Sequence, residues 1–462
     1  MEFFGQSGSA YEQWLLEHVR GALCLRAEPA LAVCWGTPAP AGAKAAVIVP
    51  RAGGFERDTE ALKRTVSSGG GSLVVRDSPI PTVELAVDVF SWIGWFVSRA
   101  EEYRPAEADA RGRFPRASAL AEALDLMERP VADLLVLHLR EAIKLVAQQA
   151  GIGLSPTSPW PGGKRFAVCL THDVDHAIRR SALRSMQKVA GAAVSLATGK
   201  AARARRRISE ALGLLRGGRF SPYWLFEPMA EMEDARGFRS AFYLLPHESD
   251  IVHEQGARSR RYDLRRPEIL EAFRRLATGG WEIGLHTTYG AHDDPGGLGR
   301  DWRKLAEILG DDVPLAGGRS HYMRFRVPDT WGASAEAGML YDASMGWQQG
   351  MGFRSGTCWP YRPFDMNRDR PVAVWEIGTH LMDSGLASLE AIPQAVRKLL
   401  ESVSAAGGCL TLLFHPSPPL ESTVGEYLAT YEAVLDMLAA RDDAWVATPR
   451  QVVECLEDFR GG

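Results

Sequence analysis

The chain has few cysteines, and they are scattered. Cys24, Cys34, Cys169, Cys358, Cys409 and Cys455 form no CxxC pair, which excludes a Cys-based zinc site and gives no sign of a disulfide framework. Cys169 and Cys409 fall inside apolar runs and read as small buried hydrophobes. Long hydrophobic runs are missing as well. The richest, Val87 to Val97, contains Asp88 and is shorter than the ~20 apolar residues that cross a bilayer. The opening Met1-Glu2-Phe3-Phe4-Gly5-Gln6 lacks the basic start and apolar stretch of a secretion signal. The expected setting is therefore reducing and cytoplasmic. Net charge is only −4, so nucleic acid is not expected as a partner.

What is present is an ordinary globular composition, 46% hydrophobic and 24% charged over 462 residues. That length exceeds one ordinary core and predicts two domains, or one barrel with a large extension. The boundary falls in Leu154-Ser155-Pro156-Thr157-Ser158-Pro159-Trp160-Pro161-Gly162-Gly163, where three prolines among small polar residues make a linker or a loop leading into a new strand. Residues 1–155 are expected to form an α+β accessory domain. It mixes short strands (Ala45 to Val49, Ser72 to Val75) with helical spacing over Leu120 to Gln149. His18 and His138 read there as lone histidines in ordinary packing or surface roles.

After residue 156 the pattern alternates. Pro267 opens a helix with Ile269, Leu270, Phe273 and Leu276 on one face, and Thr278-Gly279-Gly280 ends it before the apolar run to His286. The same order recurs with Ile392, Val396, Leu399, Leu400 and Val403, then Gly407-Gly408, then the run to His415. Ala444 to Ala447 reads as a last strand, with Thr448 capping a helix from Pro449. Repeated helix, glycine, strand, polar residue is βα-barrel grammar. Between them, residues 177–220 are rich in Arg and Lys, Arg179, Arg180 and Arg203 to Arg207 included. This stretch reads as a solvated helical insertion, or as a contact for anionic phospholipid or a diphosphate-linked sugar over 177–207.

Three of the apolar runs end in ionisable side chains. Phe166 to Leu170 leads into Thr171-His172-Asp173-Val174-Asp175; Trp281 to Leu285 ends at His286; Leu410 to Phe414 ends at His415. Residues two apart in an extended segment share a side, so Asp173 and Asp175 face one pocket. Two such carboxylates repel unless a cation or proton intervenes, and a divalent metal bound to one leaves the other as a base. His286 can reach metal with a neutral imidazole. Arg319 and His321 alternate in the same extended sense. Arg319 suits an orienting role beside a general-base Asp, and His321 can complete a set of two histidines and one aspartate. His292, in a nearby loop, is the alternative ligand. His415 suits proton donation to a departing amine. His172, His176, His247, His253 and His380 read as structural.

These segments resemble the NodB-homology polysaccharide deacetylases, carbohydrate esterase family 4. Thr171-His172-Asp173-Val174-Asp175 is similar to the motif T-F-D-D with one residue inserted, His286-Thr287 to the start of H-[ST]-x-x-[HD], Arg319 to the Arg of R-x-P, and His415 to the last catalytic histidine. Gly290 stands where that family's second histidine would be. The resemblance covers residues 164 to 455. It implies a distorted (β/α)7 barrel over 156–462, with Asp173 as base, Asp175, His286 and His321 as ligands of a divalent metal (Zn²⁺ expected), and hydrolysis of N-acetyl groups on an amino sugar or glycan precursor. Tyr322, Trp331 and Trp375 are then expected as sugar-stacking surfaces. The amino-terminal half, from Asp88 to Tyr103 and Arg111 to Phe114, resembles an accessory region in a bacterial branch of that family. Two rival readings keep the same residues: a hydrolase of another linear amide or ureide, and a non-catalytic sugar-binding or scaffold protein of polysaccharide assembly.

Overall fold

The short apolar runs of the first 150 residues become the strands of a small sheet. The computed structural model describes all residues except 6–7, 28–29, 52–58, 68–72, 105–106, 178–181, 247–250, 253–257, 260–261, 420 and 462 (at 251–252, 258–259 and 461 the backbone only). Ser72, Arg179, Arg180, His247 and His253, named above, lie outside the described residues. The sheet has the order Glu2–Phe4, Leu31–Trp35, Ala45–Val49, Thr82–Leu85, Leu73–Arg76. All neighbours are parallel except the last pair. Leu31–Trp35 is buried at every position, as suits a central strand with both faces covered.

Helix Val131–Gln149 packs on this sheet through Leu135, Leu139, Ile143 and Val146. The helical pattern expected from Leu120 is broken: Leu120–Ala123 forms one turn, and the long helix starts after Pro130. Proline in a helix interior removes a backbone donor, so the chain restarts there. The apolar run Val89–Val97 is a helix buried almost all round. Asp88 caps it, accepting from Ser91 N–H and Trp35 Nε1, each at 3.0 Å.

The second part is a barrel of parallel strands: β1 (Phe166–Val174), β2 (Ala241–Leu244), β3 (Glu282–His286), β4 (Gly317–Arg319), β5 (Tyr341–Asp342), β6 in two pieces (Trp375–Glu376 and Leu381–Met382), β7 (Cys409–Leu413) and β8 (Ala444–Val446). Strands β1 to β5 pair in sequence order. The first piece of β6 pairs with β5 and the second with β7, which returns to β1. The split sixth strand therefore closes a ring of seven. The distortion lies at β1, whose amino-terminal end pairs with β8 and whose carboxyl end pairs with β2. This is an α/β architecture, a distorted (β/α)7 barrel with an amino-terminal accessory domain.

Local chemistry matches the elements. Helix Pro267–Thr278 begins at its proline and buries Ile269, Phe273 and Leu276. Thr448 and Gln451 cap each other at the start of the last helix, at 3.3 and 3.0 Å. Gly318 is required where β4 meets β3: a Cβ there would sit 2.1 Å from the Leu285 carbonyl oxygen. Among the described residues no helix is long and apolar enough to cross a membrane.

The two parts share one hydrophobic core and a set of buried polar ties. The Asp133 carboxylate accepts from the Thr357 hydroxyl (2.5 Å) and the Cys358 N–H (2.8 Å). Glu102 binds both Arg99 and Arg354 at 2.8 Å. Removing one partner of such a pair leaves a charge stranded in the core, at a cost of about 3–5 kcal/mol, so these ties fix the docking geometry.

Candidate metal-binding and catalytic site

All the ionisable strand ends meet at the carboxyl-terminal mouth of the barrel, where βα barrels place their chemistry. Asp173 lies near the end of β1, with Asp175 just beyond it; His286 and Arg319 end β3 and β4 and are register partners. His321 follows Arg319 by two residues, and His415 follows β7.

Asp175, His286 and His321 each offer one ligand atom, and these atoms lie within 4.8 Å of one another. Asp175 Oδ1 is 3.1 Å from His321 Nε2 and 3.5 Å from His286 Nε2. A tetrahedral ion with bonds of about 2.05 Å has ligand–ligand edges of roughly 3.3 Å, so this donor set fits a small divalent cation. His286 is oriented for the task. Its Nδ1 lies 3.0 Å from the Arg319 carbonyl oxygen, which can only accept, so Nδ1 carries the proton and Nε2 keeps its lone pair. His292, the alternative ligand, is not part of this cluster; it sits in the loop held by Arg324, which donates to the Tyr289 carbonyl and to Asp293.

Asp173 stands beside the trio. Its Oδ2 is 3.9 Å from His286 Nε2, and its Oδ1 accepts from Arg319 Nη1 at 2.7 Å. Arg319 is buried and also donates to the Ala343 carbonyl (2.8 Å) and to the hydroxyls of Thr171 (3.0 Å) and Thr379 (2.9 Å). Burial alone would raise the Asp173 carboxyl; Arg319, followed by His286 and His415, more than offsets it and holds the group below its ordinary range. Asp173 is therefore a carboxylate at neutral pH.

His415 is held by an aspartate that the sequence reading missed. Asp383 Oδ1 takes His415 Nδ1–H at 2.7 Å, and Oδ2 takes the His415 backbone N–H at 2.8 Å and the Tyr427 hydroxyl at 2.5 Å. Burial opposes the charge on this imidazole, but Asp383 outweighs it, with smaller help from Asp175 and Asp173, and the pKa is pushed up to about 9. The only sequence signal for Asp383 is its place just after Leu381-Met382, the second piece of a strand too short to recognise. Thr171, at the head of the motif on β1, and Thr379, in the gap between the two pieces of β6, both accept from Arg319 Nη2, contacts that no local pattern announces.

The aromatic expectations need correction. Trp331 is fully buried and donates its indole N–H to Glu376 at 2.7 Å. Trp375 is buried too, with its indole N–H on Glu457 at 3.0 Å. Neither offers a face to a ligand; both belong to the core, where large aromatics bury most area. Tyr322 is half-buried at the mouth, stacked on His321 at 4.4 Å between ring centroids, with the Arg111 guanidinium 4.7 Å from its ring centre. Among the other histidines, His172 is buried between the Phe414 carbonyl and Glu233, both at 2.8 Å, and His380 Nδ1 accepts from Thr411 N–H at 3.0 Å.

The turn carrying His321 is built with help from the first domain. Tyr322 and Met323 have φ of 57° and 52°, a left-handed conformation that costs non-glycine residues about 1–3 kcal/mol each. Arg113, anchored on Asp109, donates to the Tyr322 carbonyl at 2.9 Å, and Arg324 donates to the Arg111 carbonyl at 2.7 Å.

Residues 51–148 match a family model described as a family of unknown function, DUF7033. No curated protein matches the chain. Solved structures similar to it include a Mycobacterium smegmatis protein provisionally called a polysaccharide deacetylase (19% identity, TM-score 0.44, over 66% of this chain and 96% of that one). Two others are a probable polysaccharide deacetylase from Pseudomonas aeruginosa PAO1 (15%, 0.42, 66% and 95%) and Puue allantoinase (14%, 0.41, 66% and 94%).

Proposed function

We propose that the barrel is a metal-dependent hydrolase of C–N bonds that removes acetyl from an N-acetylated amino sugar or glycan precursor. One observation carries the reading. A carboxylate held ionised (Asp173) and an imidazole held protonated (His415) share one barrel mouth with a trio fit for a cation. Base and acid poised in opposite states are what amide hydrolysis needs.

Asp175, His286 and His321 would hold the ion, for which Zn²⁺ suits the donor set. When bound, such an ion supplies Lewis acidity to a carbonyl oxygen and to water. Asp173 takes the proton from the attacking water at Oδ2, since Oδ1 is engaged by Arg319. His415 gives its Nε2 proton to the amide nitrogen as the C–N bond breaks, leaving acetate and a free amine. Asp383 keeps Nδ1 protonated, so Nε2 is the atom that delivers. Tyr322, beside His321, is the aromatic best placed to meet a sugar.

The test is acetate release by the purified, metal-loaded protein from acetylated amino-sugar oligomers and from nucleotide- or lipid-linked sugars. Asp173→Asn should abolish it. If no acetylated sugar releases acetate while the ion is bound, the deacetylase reading fails, and linear amides and ureides become the substrates to try.

A further inference from the structure

The segment that leaves β1 just past the site is a helical hairpin, Ala182–Ala197 and Ala201–Arg216, and its first helix is inside out. The residues it buries are Ser185, Lys188, Ala192 and Ser195. Its large apolar side chains face solvent instead: Leu183 is 67%, Met186 68% and Val194 64% exposed. The second helix adds exposed Ile208, Leu212 and Leu215, and Phe220, just beyond it, is 70% exposed. A continuous apolar face of this kind on a water-soluble surface marks an interaction site.

The polar inner face is accounted for. Lys188 pairs with Glu210 at 2.9 Å and donates to the Ser422 carbonyl at 2.6 Å; Arg203 pairs with Glu426 at 3.0 Å; the Val424 N–H donates to Glu210 at 2.7 Å. These contacts anchor the hairpin to the loop that follows His415, at the rim of the barrel mouth. With Glu210 consumed inside, the charge left outside is of one sign. Residues 182–216 contain eight Lys or Arg against that single acid, and Lys200, Arg205, Arg206 and Arg216 are exposed.

We propose that this hairpin docks the protein on a bilayer surface containing anionic phospholipid, with its apolar side chains in the acyl boundary and its arginines among the headgroups. The pattern of a large apolar face flanked by Arg and Lys is that of an interfacial helix. Each helix is 16 residues, about 24 Å, too short to span. The charge selects the occupant. A second copy of the hairpin would bring like charges together across a two-fold axis, whereas an anionic surface neutralises them. The inference does not depend on the hydrolase reading, since it rests on the outer face alone.

The experiment is flotation of the full chain with vesicles of phosphatidylcholine alone, or of phosphatidylcholine mixed with phosphatidylglycerol. The protein should float with the mixed vesicles, less so as salt rises, and not with pure phosphatidylcholine. Each arginine near an anionic surface contributes a factor of about five, so Arg205→Glu with Arg206→Glu should weaken binding by at least ~25-fold. Leu183→Asp with Val194→Asp should abolish it. Both changes lie at exposed positions, and thermal melting matched to the parent verifies the fold. Absence of flotation by the parent at low salt overturns the proposal. So does binding that survives both double variants, or a concentration-dependent dimer lost in Leu183→Asp/Val194→Asp without any vesicle binding.

Discussion

The pairing of His415 with Asp383 makes a prediction whose size follows from the structure. Asp383→Asn keeps the shape of the side chain, and its amide oxygen can still accept the Nδ1 proton, but the charge is gone. That charge and its hydrogen bond are the largest influences raising the imidazole to about 9. What remains is burial, which lowers it, and the weaker pull of Asp175 and Asp173, the former muted by any bound cation. The His415 pKa in the variant should therefore fall to ~6.5 or below, the ordinary histidine value. At pH 8 the protonated fraction drops from about 90% to roughly 3%, so kcat at that pH falls ~30-fold from protonation alone. The alkaline limb of the pH–kcat profile should move from near 9 to near 6.5.

Stability follows the same shift. A folded-state pKa raised above the unfolded value contributes stability that is complete below ~6.5 and lost as pH rises through ~9, here about 3 kcal/mol. Urea unfolding at pH 6 and at pH 9.5 should show that loss in the parent and little of it in Asp383→Asn. NMR titration of the His415 ring reads the pKa directly. A parent His415 titrating near 6.5, or an alkaline limb unmoved by the substitution, would refute the reasoning.

Three further outcomes are expected. Arg319→Met should destabilise the fold by ~3–5 kcal/mol in urea, because it strands the Asp173 carboxylate; adding Asp173→Asn should recover part of that loss. Asp175→Ala or His321→Ala should reduce bound metal, measured by elemental analysis after dialysis, from about one ion per chain to none, and chelation should lower the parent melting temperature. Trp331→Phe should cost about 1–3 kcal/mol by leaving Glu376 without its indole donor, with KM for any acetylated sugar unchanged; a raised KM at unchanged stability would restore a role in stacking.

The parts of this architecture legible in the sequence were those with strong local patterns. β1, β3 and β7 are short, mostly apolar runs ending in His or near a pair of Asp, and period 2 alone puts Asp173 and Asp175 on one side. Helices with proline at the start and glycine after the end were equally plain at Pro267–Thr278 and Ile392–Ala406. Elements defined by the ring itself were not. β5 and the two pieces of β6 are two residues each, below any periodicity, so Asp383 carried no local mark of its role. Trp331 illustrates the converse: its burial depends on Glu376, reached only when β6 joins β5.

The left-handed turn at Tyr322 has a consequence for dissecting this protein. A shortened version beginning near residue 156 would retain Asp173, Asp175, His286, Arg319, His321 and His415. It would still lack Arg113, whose guanidinium clamps the Tyr322 carbonyl, and the Arg111 carbonyl on which Arg324 rests. Without that bracing the turn would relax toward an ordinary conformation and swing His321 out of line. The accessory portion thus braces the turn that carries one candidate ligand, and the boundary between the halves is no place to cut.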